Sequence, residues 1–182
     1  MRGGPALALA ASLGFAASLA SAAPRGGAAG GSNAPSLFAG YSYAEAGDAN
    51  LQGLGLSASY PLGDALHLVV DLSAHGGSFA GTDFGQIGLL AGARWTRWYG
   101  RFQPFAEGLF GSVRTSVTVT SGDVRLEDAD ADWGLALGGG VDYRLNARWS
   151  LRGLVHLRLL QGEGAWDSDP RLALGAVFRL GR

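Results

Sequence analysis

The 182-residue chain contains no cysteine, so neither a disulfide framework nor thiol chemistry is available to it. Lysine is absent as well. The 14 basic residues are all arginine, they face 15 acidic ones, and the formal net charge is −1. With no basic excess and no basic cluster, nucleic acid is excluded as a partner. No apolar run reaches the roughly 20 residues that a membrane-spanning helix needs. A chain without disulfides must draw rigidity from elsewhere, and closure of a barrel is one source. What is abundant is glycine, 31 residues of it. That content disfavours a helical domain, and without a three-residue period it is not collagen-like.

The start reads as a targeting segment. Arg2 supplies a short positive region, "ALALAASLGFAASLA" (Ala6–Ala20) an apolar one, and "ASA" (Ala20–Ala22) the small residues of a cleavage site. A signal peptide is therefore expected over 1–22. "PRGGAAGGSNAP" (Pro24–Pro35) has no periodicity, so a flexible linker is expected over 23–35. Residues 36–182 remain, enough for one domain.

From Ser36 onward the hydrophobic period is two. Segments 36–46 and 51–60 line up Leu37, Ala39, Tyr41 and Tyr43, then Leu54, Leu56, Ala58 and Tyr60. In 65–74, Leu66, Leu68, Val70 and Leu72 alternate with His67, Val69, Asp71 and Ser73. Segment 85–98 sets Ile87, Leu89, Ala91, Ala93 and Trp95 against Gly88, Gly92, Arg94 and Thr96. Segment 101–113 is irregular: Phe105 and Leu109 break its alternation, and Pro104 requires a strand start or a bulge. Segment 132–144 opposes Trp133, Leu135, Leu137, Val141 and Tyr143 to Gly134, Gly138, Gly140, Asp142 and Arg144. Next, "WSLRGLVHLRLL" (149–160) places Arg152, His156 and Arg158 between Leu151, Val155, Leu157 and Leu159. Last, 171–180 turns Leu172, Leu174, Ala176, Phe178 and Leu180 away from Gly175 and Arg179. That makes eight strands.

The connections alternate too. "PLGD" (61–64), "YGR" (99–101) and "LNAR" (145–148) have tight-turn chemistry, whereas 46–50, 75–84, 114–131 and 161–170 read as longer links. Short and long connections taking turns are the layout of an up-and-down barrel that crosses a membrane. The longest link alternates on both sides of Ser121-Gly122-Asp123, so strands five and six are expected to continue as a hairpin. Most acidic residues fall in or beside the long links: Glu45, Asp48, Asp83, Asp123, Glu127, Asp128, Asp130, Asp132, Glu163, Asp167 and Asp169. The short turns carry Arg97, Arg101 and Arg148 against Asp64 alone.

Alternation by itself does not say which face is inside, and a soluble lipocalin-type carrier with an apolar interior has the same period. Three features favour lipid on the apolar side. The opposite face is mostly Gly, Ala and Ser with charges of both signs, as a narrow interior filled by side chains requires. Tyr60, Trp95, Trp98, Tyr99, Trp133, Tyr143 and Trp149 gather at strand ends like an aromatic girdle. The apolar stripes have the length of tilted transmembrane strands. Arginine on a lipid face costs roughly 2–4 kcal/mol at the midplane, so slipping the seventh strand by one residue is strongly opposed. The expected fold is an all-β, eight-stranded antiparallel up-and-down transmembrane barrel. Its interior is expected to hold a polar network of His67, Asp71, Arg94, Glu107, Asp142, Arg144, Arg152, His156, Arg158 and Arg179, because an unpaired charge there is costly.

With "LFAGYSY", "LALGGGVDYRLNARWSL" and "LALGAVFRL", the chain over 36–182 resembles the OmpA/OmpX-like family of small bacterial outer-membrane barrels. The resemblance implies an outer-membrane location, outer-membrane lipid and lipopolysaccharide as surroundings, the outer-membrane assembly machinery as a partner, and a monomer. It also leads one to expect a terminal aromatic residue as an assembly signal, whereas this chain ends "VFRLGR" with Phe178 set back. No peptidoglycan-binding domain follows in it, so a cell-wall tether of that type is not expected.

Some barrels of this kind are enzymes that modify lipid A with a His, a Ser and a carboxylate near the outer rim. "HGGSFAGTD" offers His75, Ser78 and Asp83, but one link with suitable residue types is not a catalytic geometry. "EDADADWG" (127–134) spaces Asp128, Asp130 and Asp132 like the opening of a calcium loop, yet Trp133 and Gly139 stand where the EF-hand needs Gly and Glu. The better reading is an acidic outer loop, Asp123, Glu127, Asp128, Asp130 and Asp132, displayed in solvent. No catalytic residue, cofactor or metal is expected, nor a diffusion pore. The role expected is structural or interactive at the surface. The alternatives are a lipid A-modifying enzyme and a soluble carrier.

Overall fold

A computed structural model describes residues 34–46, 49–79, 82–121, 124–161 and 166–180 of the chain. The signal peptide expected over 1–22 lies outside these residues, and so does the linker expected over 23–35 except Ala34 and Pro35. The strands are β1 Ser36–Ala46, β2 Ala49–Pro61, β3 Leu66–Phe79, β4 Thr82–Thr96, β5 Phe102–Ser121, β6 Val124–Arg144, β7 Trp149–Gln161 and β8 Trp166–Arg179. Each pairs antiparallel with the next. β1 closes the ring on β8, from Ser36 opposite Arg179 to Ala44 opposite Arg171. The described residues contain no helix.

The turns at one end are held as their residues dictate. Tyr99 and Phe102 exchange backbone hydrogen bonds of 2.7 and 3.0 Å around Gly100, whose φ of 62° is the left-handed conformation glycine tolerates. Asn146 accepts the backbone N–H groups of Arg148 and Trp149 through Oδ1, each at 2.9 Å, closing the β6–β7 turn. Pro104 is the third residue of β5, close enough to the strand start to be tolerated, and its carbonyl accepts from Arg97 at 3.2 Å.

At the other end the long links are largely strand. β3 runs on to Phe79, β4 begins at Thr82, β7 ends at Gln161 and β8 begins at Trp166, so the described residues 75–79, 82–84 and 166–170 are ladder rather than loop. The expected hairpin of β5 and β6 is present, paired out to Ser121 opposite Val124. Its two edges differ: β6 pairs with β7 only as far as Trp133 opposite Gln161, whereas β4 accompanies β5 up to Thr82 opposite Val119.

The period of two sorts the side chains. Leu54 (67 % exposed) and Leu174 (66 %) belong to an outward apolar belt, while Arg158 (1 %) and Arg171 (0 %) point inward. On the belt, Phe102 packs against Tyr143 (5.1 Å between centroids), Trp149 against Phe178 (4.9 Å) and Phe110 against Trp133 (5.5 Å, parallel rings). The eight-residue step from Phe102 to Phe110 spans about 21 Å along the barrel axis at a strand tilt of about 40°.

The interior is not uniformly polar. Phe105 and Leu109, which break the alternation of β5, point inward. Phe105 packs with Phe38, Leu154, Ala173 and Val177; Leu109 with Val69, Leu90, Val113, Ala136 and Leu160. Glycine makes room for the large inward groups. A Cβ on Gly140 would meet the Gly153 carbonyl oxygen at 2.1 Å and the Phe105 ring at 2.8 Å, and one on Gly55 would meet Arg171 Nη2 at 2.6 Å.

Candidate functional site: a charged barrel interior

Three of the ion pairs are nearest neighbours across a ladder. Arg94 faces Glu107 across β4 and β5 and donates from Nε to Oε2 at 2.6 Å. Arg152 faces Asp142 across β7 and β6 and donates twice, Nε to Oδ1 at 2.7 Å and Nη2 to Oδ2 at 2.8 Å. Arg158 faces Asp169 across β7 and β8, with Nη2 2.6 Å from Oδ2. A one-residue slip of any of these strands would turn a buried charge to the outside, so the pairs fix register as well as charge balance.

A second set of bonds crosses the lumen. His156 on β7 reaches past β6 to Glu107 Oε1 at 2.6 Å, so both oxygens of that carboxylate are occupied. Gln86 on β4 accepts from Arg158 at 2.7 Å and donates to Asp169 at 3.2 Å. Arg171 on β8 donates to Asp71 on β3 at 2.5 Å and to Ser42 on β1 at 2.9 Å, and His75 Nε2 lies 2.8 Å from the same Ser42 oxygen. The Phe105 ring lies 4.4 Å from the Arg94 guanidinium and 4.9 Å from that of Arg152, a favourable use of an aromatic face in a desolvated site.

The ten residues expected inside distribute as follows. Arg94, Glu107, Asp142, Arg152 and His156 form the cluster nearer the short turns. Asp71 and Arg158 belong to a second cluster nearer the hairpin, and their partners are Arg171 and Asp169. Arg179 donates to Ser150 at 2.7 Å and Gln103 at 3.4 Å, and His67 is buried beside it at the mouth. Arg144 departs from the expectation. It is half-buried at the last position of β6, 3.8 Å above the Trp98 ring, because at the rim an aromatic face and solvent replace a carboxylate.

Asp169, Arg171, His75, Ser42, Gln86 and Ser150 are interior residues that sequence reasoning missed, whereas Gln103, expected opposite Phe102 on the face of Glu107, is buried there. Asp169, expected in an outer link, is 3 % exposed. The signal lies in the register: counting back in twos from Arg179 reaches Arg171 and Asp169, and counting on from His67 reaches His75.

The aromatic set divides too. Tyr60, Trp95 and Trp149 are outward near the short turns, with Tyr143 half-buried against Phe102, and Trp133 is outward toward the hairpin end. Trp98 does not join them. It lies against Arg144 at the rim and, at 5.0 Å, the inward-facing Arg179. Tyr99 sits half-buried in its turn, with the Arg97 guanidinium 5.8 Å from the ring. Of the acidic outer loop, Asp132 is half-buried on β6; Asp123 and the side chains of Glu127, Asp128 and Asp130 lie outside the described residues.

The His75, Ser78 and Asp83 combination is split by the barrel wall. His75 points into the lumen (6 % exposed), whereas Ser78 and Asp83 sit opposite each other on the exposed outer register of β3 and β4. Among the described residues no three His, Asp or Glu side chains converge to hold a metal ion.

The model of the outer membrane protein beta-barrel domain family matches residues 6–178. The chain belongs to that family. It is a bacterial outer-membrane β-barrel, and its apolar belt faces lipid. The soluble-carrier alternative fails on the same geometry, since the lumen holds buried charge and the apolar face is outward. No curated protein matches this barrel. Among solved structures, Neisserial surface protein A aligns with a TM-score of 0.62 and 18% identity over 80% of this chain and 96% of that one. Ail, the attachment invasion locus protein of Yersinia pestis, gives 0.61 and 16% over 81% and 99%. The outer membrane enzyme PagL gives 0.52 and 13% over 79% and 99%. At such identities the likeness is one of fold.

Proposed function

We propose that this outer-membrane barrel is non-enzymatic and has a structural or surface-interaction role, serving as a rigid support that displays the β5–β6 hairpin to the surroundings. The observation that carries this reading is the long unpartnered edge of β6 in the hairpin, whose other strand β4 accompanies as far as Val119. Val124–Asp132 of β6 pair with β5 alone, about 30 Å of strand beyond the last β6–β7 contact. That arm carries Glu127, Asp128, Asp130 and Asp132 in its sequence. A lumen filled by buried, ion-paired side chains supports the reading from the other side. The names of two proteins of similar fold, a surface protein and an attachment invasion locus protein, agree with it. The similar fold of an outer membrane enzyme keeps lipid A modification as the second reading. The separation of His75 from Ser78 and Asp83 argues against a catalytic set in that hairpin.

The test replaces residues 115–130 with a two-residue turn and compares cells carrying the trimmed and the full chain. A heat-modifiable band on gels checks that both barrels assemble. Trimmed cells are expected to lose whatever detergent resistance or surface attachment the full chain confers. Equal behaviour of the two in both assays would remove the hairpin from the function. A change in lipid A mass on expression of the full chain would establish the enzyme reading instead.

A further inference from the structure

The interior charge does not balance at the short-turn end. A cavity of about 20 Å³ opens there, lined by Arg94, Arg152, Arg179, Asp142 and Thr96 among others. The nearby carboxylates are already committed. Both oxygens of Asp142 accept from Arg152, and those of Glu107 accept from Arg94 and His156. Arg179 donates only to the neutral oxygens of Ser150 and Gln103, and among the described residues it has no carboxylate within ion-pair distance. Even with Glu107 counted, the three arginines exceed the carboxylates by one. Beside them the Thr96 hydroxyl, on a residue 5 % exposed, has no hydrogen-bond partner in the protein.

We infer that this cavity is a binding site for a monatomic anion of the halide class. Three guanidinium groups supply the field, and the threonine hydroxyl supplies a donor that the protein itself does not use. Size sets the class of ligand. The cavity admits a species at least the size of a water molecule, and a compact anion such as chloride or bromide meets the arginine field there without the further donors and space that a phosphate or a lipid headgroup requires. In a low-dielectric lumen an anion here offsets the charge of Arg179, which the ladder pairs leave uncompensated. Nothing in the inference depends on the role of the hairpin, so it stands or falls separately from that reading.

The probe is bromide. Crystals of the refolded full barrel are transferred to sodium bromide and anomalous differences are collected at the bromine edge. The expected result is one peak in contact with Arg179 and Thr96, lost in Arg179→Gln and weakened in Thr96→Val. In parallel, urea midpoints in detergent micelles are compared at constant ionic strength with chloride or with gluconate, which is too large for the cavity. The midpoint is expected to be higher in chloride, with the difference reduced in Thr96→Val, a variant that keeps the shape of the side chain and so assembles even if Arg179→Gln does not. Water without bromide in the cavity would overturn the inference, and so would equal midpoints in the two anions.

Discussion

Asp142 and Arg152 are direct partners across the β6–β7 ladder and are joined by two hydrogen bonds of 2.7 and 2.8 Å, with both side chains all but sealed from solvent. One contact thus sets the register of two strands and neutralises two charges in the lumen. Removing one partner leaves the other buried and uncompensated. Asp142→Asn is expected to lower unfolding stability in lipid vesicles by about 3–5 kcal/mol, whereas Asp142→Leu combined with Arg152→Met recovers most of that loss. Urea titration of the single and double variants checks it; a double variant as unstable as the single one would refute the account.

The lipid-facing assignment of the belt predicts a contrast between two exposed leucines. Leu174 lies mid-belt opposite Tyr41 and is 66 % exposed, while Leu62, 59 % exposed, lies in the β2–β3 turn. Leu174→Arg should cost about 2–4 kcal/mol in a bilayer. Leu62→Arg should stay within about 0.5 kcal/mol of the parent. Vesicle unfolding of both variants decides, since exposure alone would make them equal.

Interior glycine predicts a second contrast. A Cβ at Gly55 would meet Arg171 Nη2 at 2.6 Å, and one at Gly63 would meet nothing within 4 Å. Gly55→Val is expected to cost about 1–3 kcal/mol by overpacking the lumen and to slow the appearance of the heat-modifiable band. Gly63→Val should fold at the parental rate.

At the mouth, Trp98 underlies the guanidinium groups of Arg144 and Arg179. Trp98→Phe keeps an aromatic face and should be near parental. Trp98→Ala should lose about 1–2 kcal/mol through two lost cation–π contacts. If the two variants unfold at the same urea concentration, the ring is not what holds these arginines.

Much of the barrel is legible in the order of its residues. Strict alternation assigns the inward and outward residues of β1 to β4 and β6 to β8 correctly, because side chains on a strand have no third direction to take. β5 is obscure in the sequence because Phe105 and Leu109 are apolar yet inward. They lie in the interior apolar clusters, and the face of Phe105 is shared by Arg94 and Arg152. Strand length is underestimated on β3 and β8, where turn-like composition (Gly76, Gly77 and Ser78; Ser168 and Pro170) conceals a continuing ladder. His75, Asp169 and Arg171 therefore escape recognition as interior groups.

The amino-acid sequence by itself determined the period of two, the eight amphipathic segments, the tight turns at Gly100 and Asn146, and the separation of apolar from charged residues. These are local properties, set by backbone geometry and by the cost of placing arginine in lipid. Closure decided the rest. Which carboxylate meets which arginine across the lumen, that Asp71 pairs with Arg171 and not with a nearer strand, and that Trp98 stacks on both Arg144 and Arg179 are relations between residues far apart in the chain. They exist only once β1 meets β8 and every inward side chain competes for the same narrow volume.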